Sequence, residues 1–211
     1  MERIRARINH GWLELGAHFH SNACGVGMRI PVGQELHSDT AYNLPYGDFL
    51  VDLIGEEDGE IALDDGGLEI STEQGIARFT KSVGDFPSEV TRYADDEQST
   101  LMLGRHEDIE QLFTLPAGDH YSIVAEGGAV SVASRLEGNV EGMHTFEADH
   151  TPSCETAVFS QAAIHDAVEA IPETDGYRLY VCDSRPLAIG WVDGSVFGQH
   201  LIAPLIAGGE E

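Results

Sequence analysis

Lysine is nearly absent from this chain. A single lysine, Lys81, stands beside ten arginines, and these 11 basic residues face 37 acidic ones, for a formal net charge of −26. Cysteine is scarce as well. Cys24, Cys154 and Cys182 are too few, and odd in number, for a disulfide framework, so a reducing cytoplasm is expected. No apolar run is long enough to span a bilayer, and the opening, Met1 to Gly11, holds three arginines and no greasy stretch. Neither a secretory signal nor a membrane partner is therefore expected. The sequence has no CxxC pair, no HExxH, no GxSxG elbow, no P-loop and no dinucleotide fingerprint. An enzyme is thus not expected, and no cofactor is called for.

What is present is enough for a core. Apolar residues make up 42% of the 211, which suits one large domain or two small ones. The acid is spread along the chain and not gathered in a tail, the pattern of a protein from the cytoplasm of a salt-in halophile. At molar salt the Debye length falls to about 3 Å, so self-repulsion and repulsion of polyanions are largely screened.

Alternation predicts strands. Ile4, Ala6 and Ile8 fall on one side and Arg3, Arg5 and Arg7 on the other. Trp12–Leu15 and Val26–Ile30 read as two more strands, with Asn22 and Gly25 in the loop between. A short helix is predicted from Tyr46 to Ile54, opened by Pro45 and closed by Gly55. Strands follow at Glu60–Leu63, Gly67–Ser71 and Gly75–Thr80. Gly84 to Gln98, with Pro87 and five acids, reads as a linker between domains 1–83 and 99–211. Beyond it a strand is expected at Thr100–Leu103, a helix at Arg105–Leu115, a hairpin of Tyr121–Ala125 with Ala129–Arg135, and a strand at Val140–Ala148. A second helix, Gln161–Ile171, precedes strands at Tyr177–Cys182, Leu187–Val192 and Val196–Ile202.

The order helix, strand, strand, strand therefore occurs twice, offset by about 118 residues. The expected fold class is α+β: two similar domains, each an antiparallel sheet covered by few helices.

The ending Leu201-Ile202-Ala203-Pro204-Leu205-Ile206 before Glu210-Glu211 resembles the C-terminal signature of DNA sliding clamps of the proliferating-cell nuclear antigen (PCNA) type. Asp183-Ser184-Arg185-Pro186-Leu187-Ala188-Ile189 resembles the strand start upstream of that ending. Segments 43–80 and 100–135 resemble the end of the family's first domain and the start of its second, and 84–98 falls at its interdomain connecting loop. The chain departs by being short: after Ile8 only Asn9-His10-Gly11 precede the next strand, so the family's first helix is missing. This resembles a reduced clamp of archaeal or archaeal-viral origin.

The resemblance implies a homotrimeric ring around double-stranded DNA that acts as a polymerase processivity factor without catalysis, with a clamp loader and peptide-motif proteins as further partners. It implies a partner-peptide pocket of Phe19, Cys24, Val90, Tyr93, Pro186, Leu201, Ala203, Pro204 and Ile206. It implies a subunit contact between 75–80 and 140–148, with Arg78 and Phe79 facing Met143 and Phe146. The family lines its hole with basic helix faces, yet the outward positions here are Asp48, Asp52, Glu107, Glu110, Gln111, Asp166 and Glu169. Arg3, Arg5, Arg7, Arg105, His106 and His165 are the expected DNA-facing cations.

Two rival readings follow from the residues. His18, His20 and Cys24, with His144, His150 and Cys154, are zinc- or iron-capable types without recognisable ligand spacing. The acidic helix faces also suit a clamp-like monomer that regulates or binds a partner and does not encircle DNA.

Overall fold

A computed structural model describes residues 4–19, 24–32, 36–44, 60–64, 67–72, 75–87, 99–103, 105–147, 154–174, 176–181 and 186–205. The predicted helix at Tyr46–Ile54 lies outside these residues, as does most of the predicted linker.

The first half supplies β1 (Ile4–Asn9), β2 (Trp12–Phe19), β3 (Cys24–Pro31), β4 (Ser38–Leu44), β5 (Glu60–Asp64), β6 (Gly67–Thr72) and β7 (Gly75–Phe79). The second half supplies β8 (Ser99–Leu103), α1 (His106–Phe113), β9 (His120–Glu126), β10 (Ala129–Leu136), β11 (Asn139–Glu147), β12 (Cys154–Ser160) and α2 (Gln161–Ala170). It ends with β13 (Gly176–Val181), β14 (Leu187–Asp193) and β15 (Val196–Ile202). The strands β4 and β12 were not predicted. Ser38-Asp39-Thr40 opens β4 with polar residues, and β12 runs straight into α2, so neither shows a clean alternation.

The strands form an eight-stranded sheet, β4-β1-β2-β3-β15-β14-β13-β8, a four-stranded sheet, β11-β10-β9-β12, and a three-stranded sheet, β5-β6-β7. All pairings within them are antiparallel. The internal repeat is plain in this order. The run β4-β1-β2-β3 matches β12-β9-β10-β11, and β5-β6-β7 matches β13-β14-β15. Even the first turns agree: His10-Gly11 and Gly127-Gly128 both take positive φ, as a two-residue hairpin of this hand requires. The second half has β8 and α1 ahead of the repeat, and β8 pairs with β13. No counterpart of β8 or α1 precedes β1 among the 211 residues.

Both helices have identifiable ends. The Arg105 backbone N–H donates to the Asp108 carboxylate at 3.0 Å, and Glu107 and Asp108 suit the positive end of the α1 dipole. Ser160 Oγ accepts from the Ala163 N–H at 3.4 Å at the start of α2. Pro116 and Pro172 follow shortly after the two helices and oppose their continuation. Ile109, Leu112 and Phe113 of α1 and Ile164 and Val168 of α2 are buried with Tyr121, Ile123, Leu179 and Ile189 in one core. A second core joins Ala6, Ile8, Leu13 and Leu15 to Leu68, Ile70 and Phe79. Met28 packs against both.

His200 lies on the core side at the β3·β15 junction, opposite Val26 and Ile189, and is 8% exposed. Burial pushes its pKa down from 6.5 to about 4. In the unfolded chain the imidazole takes up a proton near pH 6.5, whereas in the fold it does so only near 4. Stability is therefore full above about pH 6.5 and is lost as pH falls towards 4, by roughly 3 kcal/mol over the whole window. Urea midpoints of wild type and His200→Leu across that window should diverge, because carboxylate titration is common to both. Parallel pH profiles would remove His200 as the cause.

Candidate functional site

The faces of the large sheet follow from its register. Ala6, Leu15, Met28, Gly198 and Trp191 are successive cross-strand neighbours on the core side. Arg7, Glu14, Arg29, Phe197 and Val192 are successive neighbours on the opposite face.

That opposite face carries a buried ion cluster. Glu14 is 2% exposed and accepts from Arg7 Nε at 2.9 Å and from Asn9 Nδ2 at 3.3 Å, with Arg29 Nε at 3.4 Å. The Arg7 guanidinium sits 4.5 Å from the Phe86 ring centre, and that of Arg29 sits 5.4 Å from the Trp12 ring centre. Arg5 donates to the Asp85 carbonyl. The β1 arginines thus hold residues 84–86 against the sheet.

Arg5 and Arg7, expected to face the DNA, lie on the face of the sheet turned away from the helices. The core claims Ala6 and Ile8, so with a period of two the arginines point away from the side on which α1 and α2 pack. Arg3 lies outside the described residues. Arg105 is exposed at the start of α1. His106 is bound on both nitrogens, with Nδ1 3.3 Å from the Tyr177 hydroxyl and Nε2 3.4 Å from Glu110. His165 Nε2 lies 2.8 Å from the Tyr121 hydroxyl, which donates to the Phe113 carbonyl. Burial raises the Tyr121 pKa and keeps this hydroxyl a donor. Both histidines therefore tie helices to sheets. The exposed helix positions include Glu107, Glu110, Gln111, Asp166 and Glu169, while Asp48 and Asp52 lie outside the described residues.

The structure brings several predicted pocket residues to one end of the same opposite face. Leu201 joins Tyr180 and Ala188 in a small apolar cluster there. Leu187 pairs with Ile202, so Pro186 and Ala203 flank adjacent strand ends, and Pro204 follows; all three are half-buried. Gly25 pairs with Leu201, which brings the start of β3 alongside, whereas Cys24 pairs with Ile202 and Phe19 with Cys24 at register positions of the core side, so these two predicted pocket residues do not share the face of Leu201. Val90, Tyr93 and Ile206 lie outside the described residues. Tyr180 was not predicted. It is 2% exposed, and its hydroxyl is buried without a hydrogen-bond partner among the described residues. Alternation along β13 marks it as facing away from Leu179, but only the cross-strand contact with Ala188 places it at this end.

The predicted subunit-contact residues divide. Arg78 and Met143 are exposed on edge strands β7 and β11. Arg78 bonds Glu69 through Nε at 3.0 Å and Nη2 at 2.7 Å, which raises its pKa. Phe79 corrects the expectation: it is in the core, so its ring cannot face a partner. Phe146 is half-buried against the other core.

Among the described residues no three His, Cys, Asp or Glu side chains converge as metal ligands. His20 and His150 lie outside those residues, and His144 Nδ1 is 3.0 Å from the Gln111 carbonyl. Among the described residues no helix is long and apolar enough to cross a membrane.

No family model matches the sequence, and no curated protein matches it. Solved structures do match the fold. The DNA polymerase III beta subunit of Thermotoga maritima superposes with a TM-score of 0.64 at 13% identity, over 97% of this chain and 57% of its own. The DNA polymerase III subunit beta of Pseudomonas aeruginosa gives 0.63 at 14% identity, over 97% and 58%. A DNA polymerase sliding clamp from Pseudomonas aeruginosa, solved with ligand, gives 0.64 at 15% identity, over 97% and 58%. The chain spans a little over half the length of these neighbours, and nearly all of it takes the sliding-clamp fold.

Proposed function

We propose that this chain is a DNA sliding clamp of reduced size, a processivity factor whose copies close into a ring around duplex DNA. The observation that carries the reading is the clamp fold over 97% of the chain, supported by an internal repeat that leaves β7 and β11 as sheet edges among the described residues. Three chains of two domains, 1–83 and 99–211 joined by 84–98, form the ring in the manner of the PCNA type. The acid-rich, lysine-poor composition favours a halophilic archaeon or its virus and a high-salt cytoplasm. Phosphate contacts lose orders of magnitude in affinity as salt rises, whereas topological linkage does not depend on them. A ring thus remains on DNA in brine although Glu107, Glu110, Asp166 and Glu169 are exposed on its helices. The ring holds a polymerase and its loader and performs no chemistry. Partner peptides dock at Pro186, Leu201, Ala203 and Pro204, with Phe19, Cys24, Val90, Tyr93 and Ile206 completing the pocket. Arg105 is the cation at the helix layer that remains open to a phosphate.

Light scattering in multi-molar potassium chloride tests this directly. The expected mass is three chains, unchanged on dilution, with binding to closed circular duplex that is released when the circle is cut. The acidic helix faces favour a second reading, a clamp-like monomer that regulates or binds a partner. A single-chain mass at every concentration would establish that reading and remove the ring.

A further inference from the structure

The face of the large sheet turned away from the helices is positive in an acidic chain. Across β1-β2-β3-β15-β14-β13 the only acids are Glu14 and Asp193, and alternation puts Asp193 on the core side with Trp191. Arg5, Arg7, Arg29 and Arg178 stand on the outward face. Glu14 serves Arg7 and Arg29, and Arg5 donates to the Asp85 carbonyl. Arg178 is exposed, and its guanidinium has no ion pair or hydrogen bond among the described residues.

Arg178 borders a hollow. Gly190 lies opposite it on β14, and Gly176, two residues back on β13, lies opposite Val192. Val192 in turn pairs with Phe197. Two glycines thus stand where side chains would fill the face between Arg178, Val192 and Phe197, and the space left is about 120 Å³. A Cβ on Gly176 would meet nothing within 4 Å, so the hollow is open above it. A Cβ on Gly190 would lie 3.2 Å from Tyr180 Cε2, so the Tyr180 ring closes the hollow on the side of Leu201. Val192 is exposed and Phe197 half-buried, so the walls are apolar with one cation on the rim. The Phe197 and Leu201 positions lie four residues apart on β15, or about 13 Å, which separates this hollow from the predicted peptide pocket.

We propose that the hollow is a second docking site, which takes an aliphatic side chain of a partner peptide with a carboxylate beside it. Size selects the aliphatic group. A cavity of about 150 Å³ holds a benzene ring, so the smaller space here suits leucine, isoleucine or valine. Charge selects the carboxylate, because Arg178 presents a planar fork of donors at the rim. At high salt the ion pair is largely screened and adds selectivity, while the apolar contact supplies affinity. A nucleic acid suits the face less well, because Arg5, Arg7 and Arg29 already have acceptors and phosphate contacts weaken as salt rises. The site needs neither a ring nor a second copy, so it goes beyond the clamp reading.

The probe is a blocked pentapeptide with leucine between two aspartates and serine at each end. It is titrated into the full chain in molar potassium chloride and followed by saturation-transfer NMR. Alanine in place of the leucine should weaken binding roughly tenfold, as expected for burying one such side chain. Lysine in place of both aspartates should weaken it about two- to fivefold, the range of an exposed ion pair. Gly176→Leu should weaken it roughly tenfold or more, because the new side chain occupies the hollow, and the open space above Gly176 lets the variant fold. Arg178→Gln should abolish the preference for aspartate and keep the preference for leucine. Equal binding to wild type and Gly176→Leu overturns the hollow as the site. A wild type that favours the lysine peptide overturns the carboxylate. Absence of saturation by about 10 mM peptide overturns the whole proposal. So does an oligothymidylate that displaces the peptide and is itself released by Arg178→Gln, which assigns the face to nucleic acid. The clamp reading survives each of these results, because its own test is the mass of the assembly.

Discussion

Alanine at position 198 is expected to lower the unfolding free energy by about 3 kcal/mol, the upper part of the range for overpacking a core. Gly198 faces Trp191 across β14 and β15, and a Cβ there would lie 2.0 Å from Trp191 Cζ2 and 2.2 Å from Cε2. The obstacle is a rigid ring embedded in the core and not the end of a mobile side chain. Relief therefore requires the indole to leave its place. Urea unfolding at fixed potassium chloride measures the loss. A Trp191→Leu change should cost much less in the Gly198→Ala background than in wild type, because it removes the clash it otherwise has no part in. Equal costs in the two backgrounds would mean that the clash is relieved elsewhere.

Glu14→Gln is expected to cost more, about 3–5 kcal/mol, the range for breaking a buried ion pair by removing one partner. The carboxylate is shared by Arg7 and Arg29, and both guanidiniums would remain on the sheet without it. The loss should also loosen residues 84–86, because Arg7 and Arg5 are the groups that hold Phe86 and Asp85. Hydrogen exchange at those amides should rise by more than the global destabilisation explains. A variant as stable as wild type would show that water serves the two arginines as well as Glu14 does.

Much of the second half was legible because its signals are local. The alternation in 121–135, the Gly127-Gly128 turn and the spacing of Ile109, Leu112 and Phe113 each lie within a few residues. The helix of 161–170 is legible for the same reason, with Ser160 as its cap and Pro172 beyond its end. β4 and β12 escaped because a strand with mixed polarity shows its identity only through its partners.

The candidate surfaces were less legible, and the misplaced residues show why. Periodicity put Arg3, Arg5 and Arg7 on one side of a strand, and that was right for the two described. It could not say which side the helices would cover. Phe79 shows the same limit: its strand lies at a sheet edge, but its own side of that strand belongs to the core. Pro186, Leu201, Ala203 and Pro204 converge because Leu187 pairs with Ile202, a contact inside one hairpin. The neighbouring start of β3 joins them through a pairing of Cys24 with Ile202, across most of the chain.

The sequence by itself determined the strand faces, the turns, the helix ends, the two-fold repetition of the plan and the excess of acid, because each depends on neighbours in the chain. Only the tertiary structure decided which face of the large sheet meets the helices, that Glu14 is buried between Arg7 and Arg29, and which strands are left as edges. Those facts depend on β3 meeting β15, and the register of such a distant pair is set by the two cores that meet at Met28, not by any local signal.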